Sequence, residues 1–484
     1  MTDLPSRCPS HCPSHCDVLV VGGGLAALCA ALSARRAGAS VVLLEAAPKA
    51  ERGGNARHSR NLRVMHDGPT RWVRGRYDAD NFRSDLRRVT GGYLGGGSLG
   101  GGPLGDGSVD EALAGLLIRE SAGIVAWLAD NGVHFQDPGD GVLPYSRKTA
   151  FLLGGGQALV NALYATAARL GVDIRYDSAV RALDLGDAAR PAVVVRHRDG
   201  ESALAARAVV VASGGFQANG DWLRERWGAV ADNAVVRGTR HATGTALKAL
   251  LDHGAQPVGD PAHGHMVAVD GRSPRFDGGI VTRLDGIAHG IVVDRDGQRF
   301  ADEGADSGPT RYAVWGERVA RCPDGLAFMI FDATIERRFR PSIFPAIRAE
   351  SVGALAAALG IAPAALEATV SRFNAAVRPG GGPEDGRTDG ITPPKTRHAA
   401  PILVPPFGAY PVRAGVTSTS LGVRVDPTAR VLDGGGRPLG SVFAAGVVMA
   451  PNILGRGYLA GSAMTIGAVF GRIAGREAAR HARG

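Results

Sequence analysis

Gly22, Gly24, Ala27 and Glu45 are spaced to hold a dinucleotide. Gly22 permits a tight turn, and Gly24 lets the backbone approach a pyrophosphate. The small Ala27, where a third glycine would stand, lets a helix pack closely on a strand. Glu45, about 20 residues further on, can accept hydrogen bonds from ribose hydroxyls, and its charge disfavours a 2′-phosphate. A second chemistry-bearing run is the leader CPSHCPSHC, where Cys8, Cys12 and Cys16 alternate with His11 and His15. Thiols and imidazoles in that number could bind a metal. Its prolines break any helix that would align them, and CxxxC is not the usual zinc spacing. Residues 1–16 are therefore expected to be a disordered leader, and no metal site is expected.

The elements around the first constellation fit it. Asp17 to Val21 is a short apolar run of strand length, and Leu25 to Ala37 is Ala- and Leu-rich and helical. Gly38 ends that helix, and Ser40 to Leu44 is a second strand closed by Glu45. Further along, residues 91–107 are a flexible Gly-rich insertion, and Asp110 to Asn131 reads as helical. Gly154-Gly155-Gly156 opens another helix to Leu170, followed by a strand at 172–176. Val193–His197 and Ala203–Val211 fit a hairpin, and Val209 to Gly215 is a strand running into glycines at Gly214. Ile291 to Phe300 reads as a hairpin, residues 351–360 and 363–377 as helices, and 379–394 as a loop. A strand at 442–446 and a final helix at about 461–481 close the chain.

The two ends share one texture and the middle another. The expected fold is α/β: a discontinuous Rossmann-like nucleotide-binding domain (17–240 and 400–484) with an inserted α+β capping domain (241–399). The 484 residues suffice for a substantial core. Apolar residues at 45% and charged residues at 21% exclude wholesale disorder. The 70 glycines follow no G-X-Y period, which excludes collagen. With 55 Lys+Arg against 46 Asp+Glu, the net charge is +9. The basic residues are scattered rather than blocked, and aromatics are 6%, so nucleic acid is not an expected partner and small anions are. Five cysteines, three of them in the leader, argue against a disulfide framework.

Several segments carry a family resemblance: VVGGGLAALCAAL, LLEAAPKAERGGNARHSRNLRVMHD, VVVASGGF, GIVVDRDGQRFADEG and FAAGVVMAPNILGRGYLAGSAMTIGAVFGRIAG. Together they resemble the FAD-dependent fumarate reductase/succinate dehydrogenase flavoprotein superfamily. The GGNxxHxRNLRxMHD and NILGxGYLAG segments resemble, within it, the FAD-dependent tricarballylate dehydrogenases. The resemblance runs from about residue 17 to the C-terminus. It implies FAD in an extended pose, with Gly22, Gly24 and Ala26 on the pyrophosphate and Glu45 on the adenosine ribose. Gly53, Gly54, Asn55 and Ala56 match the loop that passes the flavin ring, where small residues let backbone approach a flat surface. Gly214 is counted with these positions, and Gly446, Ala463 and Met464 match the C-terminal segment closing over the ribityl chain and ring. Membrane-bound members attach FAD through a His in that loop. The corresponding position is Asn55, so non-covalent FAD is expected.

The implied chemistry is α,β-oxidation of a saturated acid. That needs a hydride acceptor, a base for the neighbouring proton, and cations that orient the carboxylates. Arg suits the last task because its planar fork matches a carboxylate. By resemblance to the soluble reductases, His263 is their cap His, with His265 its rival and a packing His the plainer alternative. Their Thr-Glu pair becomes Thr282-Arg283 here, which suggests an extra cation for a third carboxylate. Their proton-transfer Arg corresponds to Arg311, their second substrate His to Ser418 and their late substrate Arg to Tyr458. Arg456 stands two positions from Tyr458 as a compensating cation, and Tyr458 is an alternative proton acceptor. His58, Arg60, Arg63 and His66 cluster after the GGN loop, where they could grip carboxylates, neutralise FAD phosphates or face solvent. Arg60 is the one expected on substrate.

The expected activity is FAD-dependent oxidation of tricarballylate to cis-aconitate. Its electrons would pass to a separate membrane-associated iron–sulfur/haem protein. Alternatives on the same fold are fumarate reduction, a succinate-type reaction or 3-ketosteroid dehydrogenation. A reading of another class is a non-catalytic flavoprotein subunit in electron transfer or cobalamin synthesis. No apolar run approaches ~18 residues and the N-terminus lacks signal-peptide character. The expected location is cytoplasmic, with that partner as a route to the inner membrane.

Overall fold

The computed structural model describes residues 15–90, 109–138, 147–187, 190–197, 200–305, 311–382 and 384–484; the side chains of 15 and 311–313 are outside this set. Cys8, Cys12 and the Gly-rich run 91–107 also lie outside the described residues. Residues 15 and 16 belong to a strand rather than to a leader. Strand β1 is His15–Val21, and Cys16 pairs with Ala206. Burial pushes the Cys16 thiol up to about 11, which disfavours the thiolate a metal would need.

Helix α1 (Leu25–Arg36) follows, then strand β2 (Val41–Leu44). The helical stretch expected at 110–131 consists of two helices, Glu111–Ser121 and Ile124–Asp130, the first capped by the Asp110 carboxylate. Helix α2 is Gly155–Arg169, and β3 is Asp173–Arg175. Strand β4 (Gly200–Val211) pairs antiparallel with Ala192–His197, as the alternation requires. Strand β5 is Pro257–Asp270, β6 is Phe407–Val423, β7 is Pro438–Ala444 and helix α3 is Ser462–Arg483. Among the described residues the first sheet has eight strands, and its central run is β7-β4-β1-β2-β3, all parallel. Val18, Leu19, Val209, Val210 and Val442 in these strands are fully buried, as strands covered on both faces must be.

Helix α3 reaches the nucleotide end by a glycine stripe. Added Cβ atoms on Gly471 and Gly475 would collide with the carbonyls of Ala26 and Ala30 on α1, and Gly467 faces Ala26. Spacing of four residues puts the three glycines on one helix face. The last helix therefore rests on the backbone of the first.

Contacts divide the chain into two units. One holds residues 1–226, 239–264 and 418–484; the other holds 227–238 and 265–417. The division differs from the expected 240/241 and 399/400 boundaries, because two crossings fall inside the long continuous strands β5 and β6. The second unit has its own core around Trp315, Met329, Ile330, Phe331 and Phe373. In it Ile291–Val293 pairs with Leu326–Phe331, and the expected 291–300 hairpin shrinks to one Val293–Arg299 bridge. Arg299 instead turns to Glu303, its Nη2 at 2.6 Å from a carboxylate that is fully buried. The other Glu303 oxygen accepts the Val292 N–H at 2.9 Å. Among the described residues, no single helix is long and apolar enough to cross a membrane.

Candidate functional site

In the first unit, four parallel strands end side by side, and each runs into a turn that sequence had singled out. Gly22 follows β1, Glu45 follows β2, Ser213-Gly214 follows β4 and Gly446 follows β7. Ligands of open parallel sheets bind beyond these carboxyl ends. Gly22 has φ 116°, and a Cβ there would press on Ala212 and Ser213. Gly24 caps α1 with no side-chain bond, and the first helical hydrogen bond is Leu28 N–H to Gly24 O. The N–H groups of Leu25, Ala26 and Ala27 thus precede the helical ladder and point to the positive end of its dipole.

The GGN loop meets this turn. A Cβ on Gly24 would lie 3.6 Å from Gly53 O, and one on Gly54 3.7 Å from Gly24 Cα. Gly446 comes closer still to Ala26, where an added Cβ would sit 2.9 Å from the Ala26 methyl. Gly22, Gly24, Ala26, Gly53, Gly54 and Gly446 are thus brought together. The loop is held from below by α2. A Cβ on Gly156 would collide with Ala56 O, and Gly156 N–H donates to Ser59 O at 2.6 Å. Sequence placed Gly156 at a helix start without seeing that it seats the loop. The Asn55 Oδ1 accepts the Thr239 N–H at 3.0 Å, and Ala56 is buried. Ala463 and Met464 occupy the first turn of α3, which is tied to the segment after the loop by Thr465 Oγ1 donating to Arg63 O.

Glu45 is buried. Its Oε1 accepts from Ala47 N–H at 3.0 Å, and its Oε2 from Gly53 N–H at 3.1 Å and the Tyr164 hydroxyl at 3.3 Å. Beside Gly214, Ser213 Oγ and Gln217 Oε1 are buried with no hydrogen-bond partner among the described residues. Orphaned polar atoms are uncommon in a folded chain and call for a polar ligand. A close-approach glycine turn, an uncapped helix start and these two atoms together fit a flavin dinucleotide.

The charged candidates behave differently. Arg456, 43% exposed, places Nε at 2.9 Å from Oδ2 of the buried Asp260, whose Oδ1 accepts Ala262 N–H. Tyr458 is half-buried two residues on, His263 half-buried on β5, and Ser418 half-buried on β6. Next to Ser418, Thr419 Oγ1 accepts Phe216 N–H at 3.2 Å. Arg60 lies over Phe151, its Cζ 5.9 Å from the ring centroid. Arg63 and His66 turn inward. Arg63 bonds Asp85, Tyr77 and Ala460 O, and the His66 ring nitrogens meet Gly68 O and Arg147 O. In the second unit Thr282 is buried and donates to Gly279 O. Arg283 is largely buried, with Nη2 at 2.7 Å from Asp285 Oδ2. The Arg311 side chain lies outside the described residues. Asp260 and Tyr164 carried no sequence signal, because each matters through a neighbour distant in the chain.

Residues 17–463 match the family described as the FAD binding domain. The chain is 27% identical to a probable fumarate reductase, Ifc3, of Shewanella frigidimarina, over 96% of this chain and 75% of that protein. Among solved structures it is similar in fold to an open-conformation flavocytochrome c3 fumarate reductase, with TM-score 0.76, 24% identity, and coverage of 97% and 78%. It is also similar in fold to 3-ketosteroid-Δ4-(5α)-dehydrogenase from Rhodococcus jostii RHA1, with TM-score 0.67, 24% identity, and coverage of 96% and 97%.

Proposed function

This chain belongs to the FAD binding domain family and is a flavin-dependent oxidoreductase of the fumarate reductase/succinate dehydrogenase type, and we propose that it oxidises tricarballylate to cis-aconitate. Bound FAD supplies the hydride acceptor. The chain's own residues hold the acid and take the neighbouring proton, so one C–H leaves as hydride, the adjacent one as a proton, and a C=C bond forms. We assign the pyrophosphate to Gly22, Gly24 and Ala26, and the ribose to Glu45. The flavin end is assigned to Gly53, Gly54, Asn55, Ala56, Gly446, Ala463 and Met464, with Gly214 beside them. Asn55 offers a carboxamide where covalent members offer a His, so the flavin is held without a covalent bond.

The observation that carries the substrate reading is Arg456. Asp260 occupies its Nε edge, and the side chain remains 43% exposed on the segment that carries Tyr458. A guanidinium anchored on one edge presents its outer fork to a carboxylate. Arg60, Thr282, Ser418 and Arg283 are the further contacts of the reading, with Arg283 already shared with Asp285. Tyr458 is our choice for the proton, with Arg311 and His263 as its rivals. The two electrons then leave to a membrane-associated iron–sulfur/haem protein, and the enzyme works in the cytoplasm.

One observation favours a second reading, dehydrogenation of a neutral ketone. Arg63 and Arg283 both carry acids, which lowers the positive charge available for three carboxylates. Anaerobic mixing of holoprotein with tricarballylate, succinate, citrate and a ketosteroid separates the readings. Bleaching of the oxidised flavin band by tricarballylate alone is expected. Bleaching by the ketosteroid alone, or by succinate alone, overturns the assignment.

A further inference from the structure

Tyr164 is a nearly fully buried tyrosine on the Ala-rich helix α2. A buried ring there needs no hydroxyl for packing, and a buried hydroxyl is costly unless bonded. This one lies 2.9 Å from Gly23 O, in the middle of the dinucleotide turn, and 3.3 Å from Glu45 Oε2. Gly23 has no room for a side chain because both oxygens converge on the place its Cβ would take. The ring is fixed from its other sides. Arg52 Cζ stands 4.7 Å over its centroid, Tyr176 lies 5.9 Å away, and Arg52 Nη2 bonds Asn161 Oδ1 at 3.0 Å. Burial, and after it the Glu45 charge, pushes the phenol up, so it stays a donor throughout the working range.

Glu45 receives Ala47 N–H and Gly53 N–H, and at 3.3 Å the Tyr164 O–H, whose single proton it shares with Gly23 O at 2.9 Å. The two N–H donors come from its own flank and the GGN loop. Tyr164 is the one that links the acid to the Gly22–Gly24 turn. We propose that Tyr164 is a positioning residue for the cofactor: its hydroxyl locks the Glu45 carboxylate in one orientation against the dinucleotide turn, pre-ordered for the ribose hydroxyls of FAD. Pre-ordering raises affinity by removing side-chain freedom before binding. The inference rests on the flavin assignment and is independent of the substrate.

Flavin release from holoprotein tests it, read as recovery of flavin fluorescence on dilution, for wild type, Tyr164→Phe, Glu45→Gln and the double variant. Phe keeps the ring, its stacking and its volume. Tyr164→Phe should weaken FAD binding about tenfold, the size of a lost bond to a charged acceptor. Glu45→Gln should weaken it at least as much, and the double variant should be no worse than Glu45→Gln, because Tyr164 acts through Glu45. A packing role would make the two losses add in full. An unchanged FAD affinity in Tyr164→Phe, or full additivity, overturns the proposal. No substrate enters the assay, so a wrong substrate leaves it intact, whereas a colourless wild type removes the flavin assignment before any variant is made.

Discussion

The turns beyond the parallel strands and the arginines offered for substrate recognise anions in opposite ways. At Gly22, Gly24, Gly53, Gly54 and Gly446 the chain offers backbone, brought close by the lack of side chains. Elsewhere four guanidinium groups are already matched to acids, Arg456 to Asp260, Arg283 to Asp285, Arg63 to Asp85 and Arg299 to Glu303, while Arg60 lies over the Phe151 ring. Backbone donors need no counter-charge, so a cofactor site can be built from them without a standing electrostatic cost. A buried arginine has to be paired in the resting protein. What it can offer a substrate is therefore set by its partner as much as by itself.

The hardest way to break this contrast is to unpair a structural arginine. Glu303→Gln leaves the Arg299 charge buried in the second unit and should cost about 3–5 kcal/mol. Thermal unfolding would show it as a large fall in midpoint, while the folded fraction keeps its flavin. A fall equivalent to under ~1 kcal/mol would mean that Arg299 does not depend on the pair.

On the backbone side, Gly22→Ala forces a Cβ onto Ala212 at φ 116° and should destabilise the fold by about 2–4 kcal/mol. Gly24→Ala sharpens the point. Gly24 has φ −78°, and its nearest protein neighbour would be 3.6 Å away. That substitution should leave unfolding of the apoprotein within about 0.5 kcal/mol of wild type while weakening FAD binding tenfold or more. Equal effects on both quantities would place Gly24 in the fold rather than at the cofactor.

Those two glycines also show what sequence alone conveys. The β1-α1-β2 unit was legible because strand, turn, helix and acid fall in local register, and the hairpin before Val211 was legible from alternation. Gly467, Gly471 and Gly475 were equally visible at a spacing of four, although only the fold shows that α1 lies against them. The unit boundaries at 264/265 and 417/418 were not legible, since β5 and β6 run through them as continuous strands. Asp260 and Tyr164 were invisible for a different reason. A pairing across nearly two hundred residues, or a hydroxyl reaching from α2 to Gly23, leaves no local trace. The GIVVDRDGQRFADEG segment that carried the resemblance contains the buried Arg299–Glu303 pair.

A smaller effect is expected at Arg456. Asp260→Asn removes the charge that anchors its Nε edge, and the KM for the carboxylate substrate should rise about tenfold with kcat little changed. A change in kcat alone would place the pair at the reacting bond instead of at binding.

The mildest test is pH. Lys395 is fully buried, donates to Ala288 O and Gly290 O, and is lowered by burial from 10.5 to about 8. Between these values the unfolded chain binds the extra proton, so this group's contribution to stability rises with pH and is lost as pH falls toward 8. From pH 8 to 9 the gain should be about 1 kcal/mol. The thiols of Cys16, Cys29 and Cys322, pushed up by burial, act in the opposite direction. The difference in unfolding between wild type and Lys395→Met across that interval isolates the lysine, and a flat difference would mean that it stays charged when folded.

The most direct test of the whole account is the flavin itself. Denaturing the purified protein with acid and separating polypeptide from supernatant should release close to one FAD per chain, leaving the polypeptide colourless. A protein that is colourless as purified and takes up no FAD on reconstitution, or one whose flavin stays with the polypeptide, would contradict it.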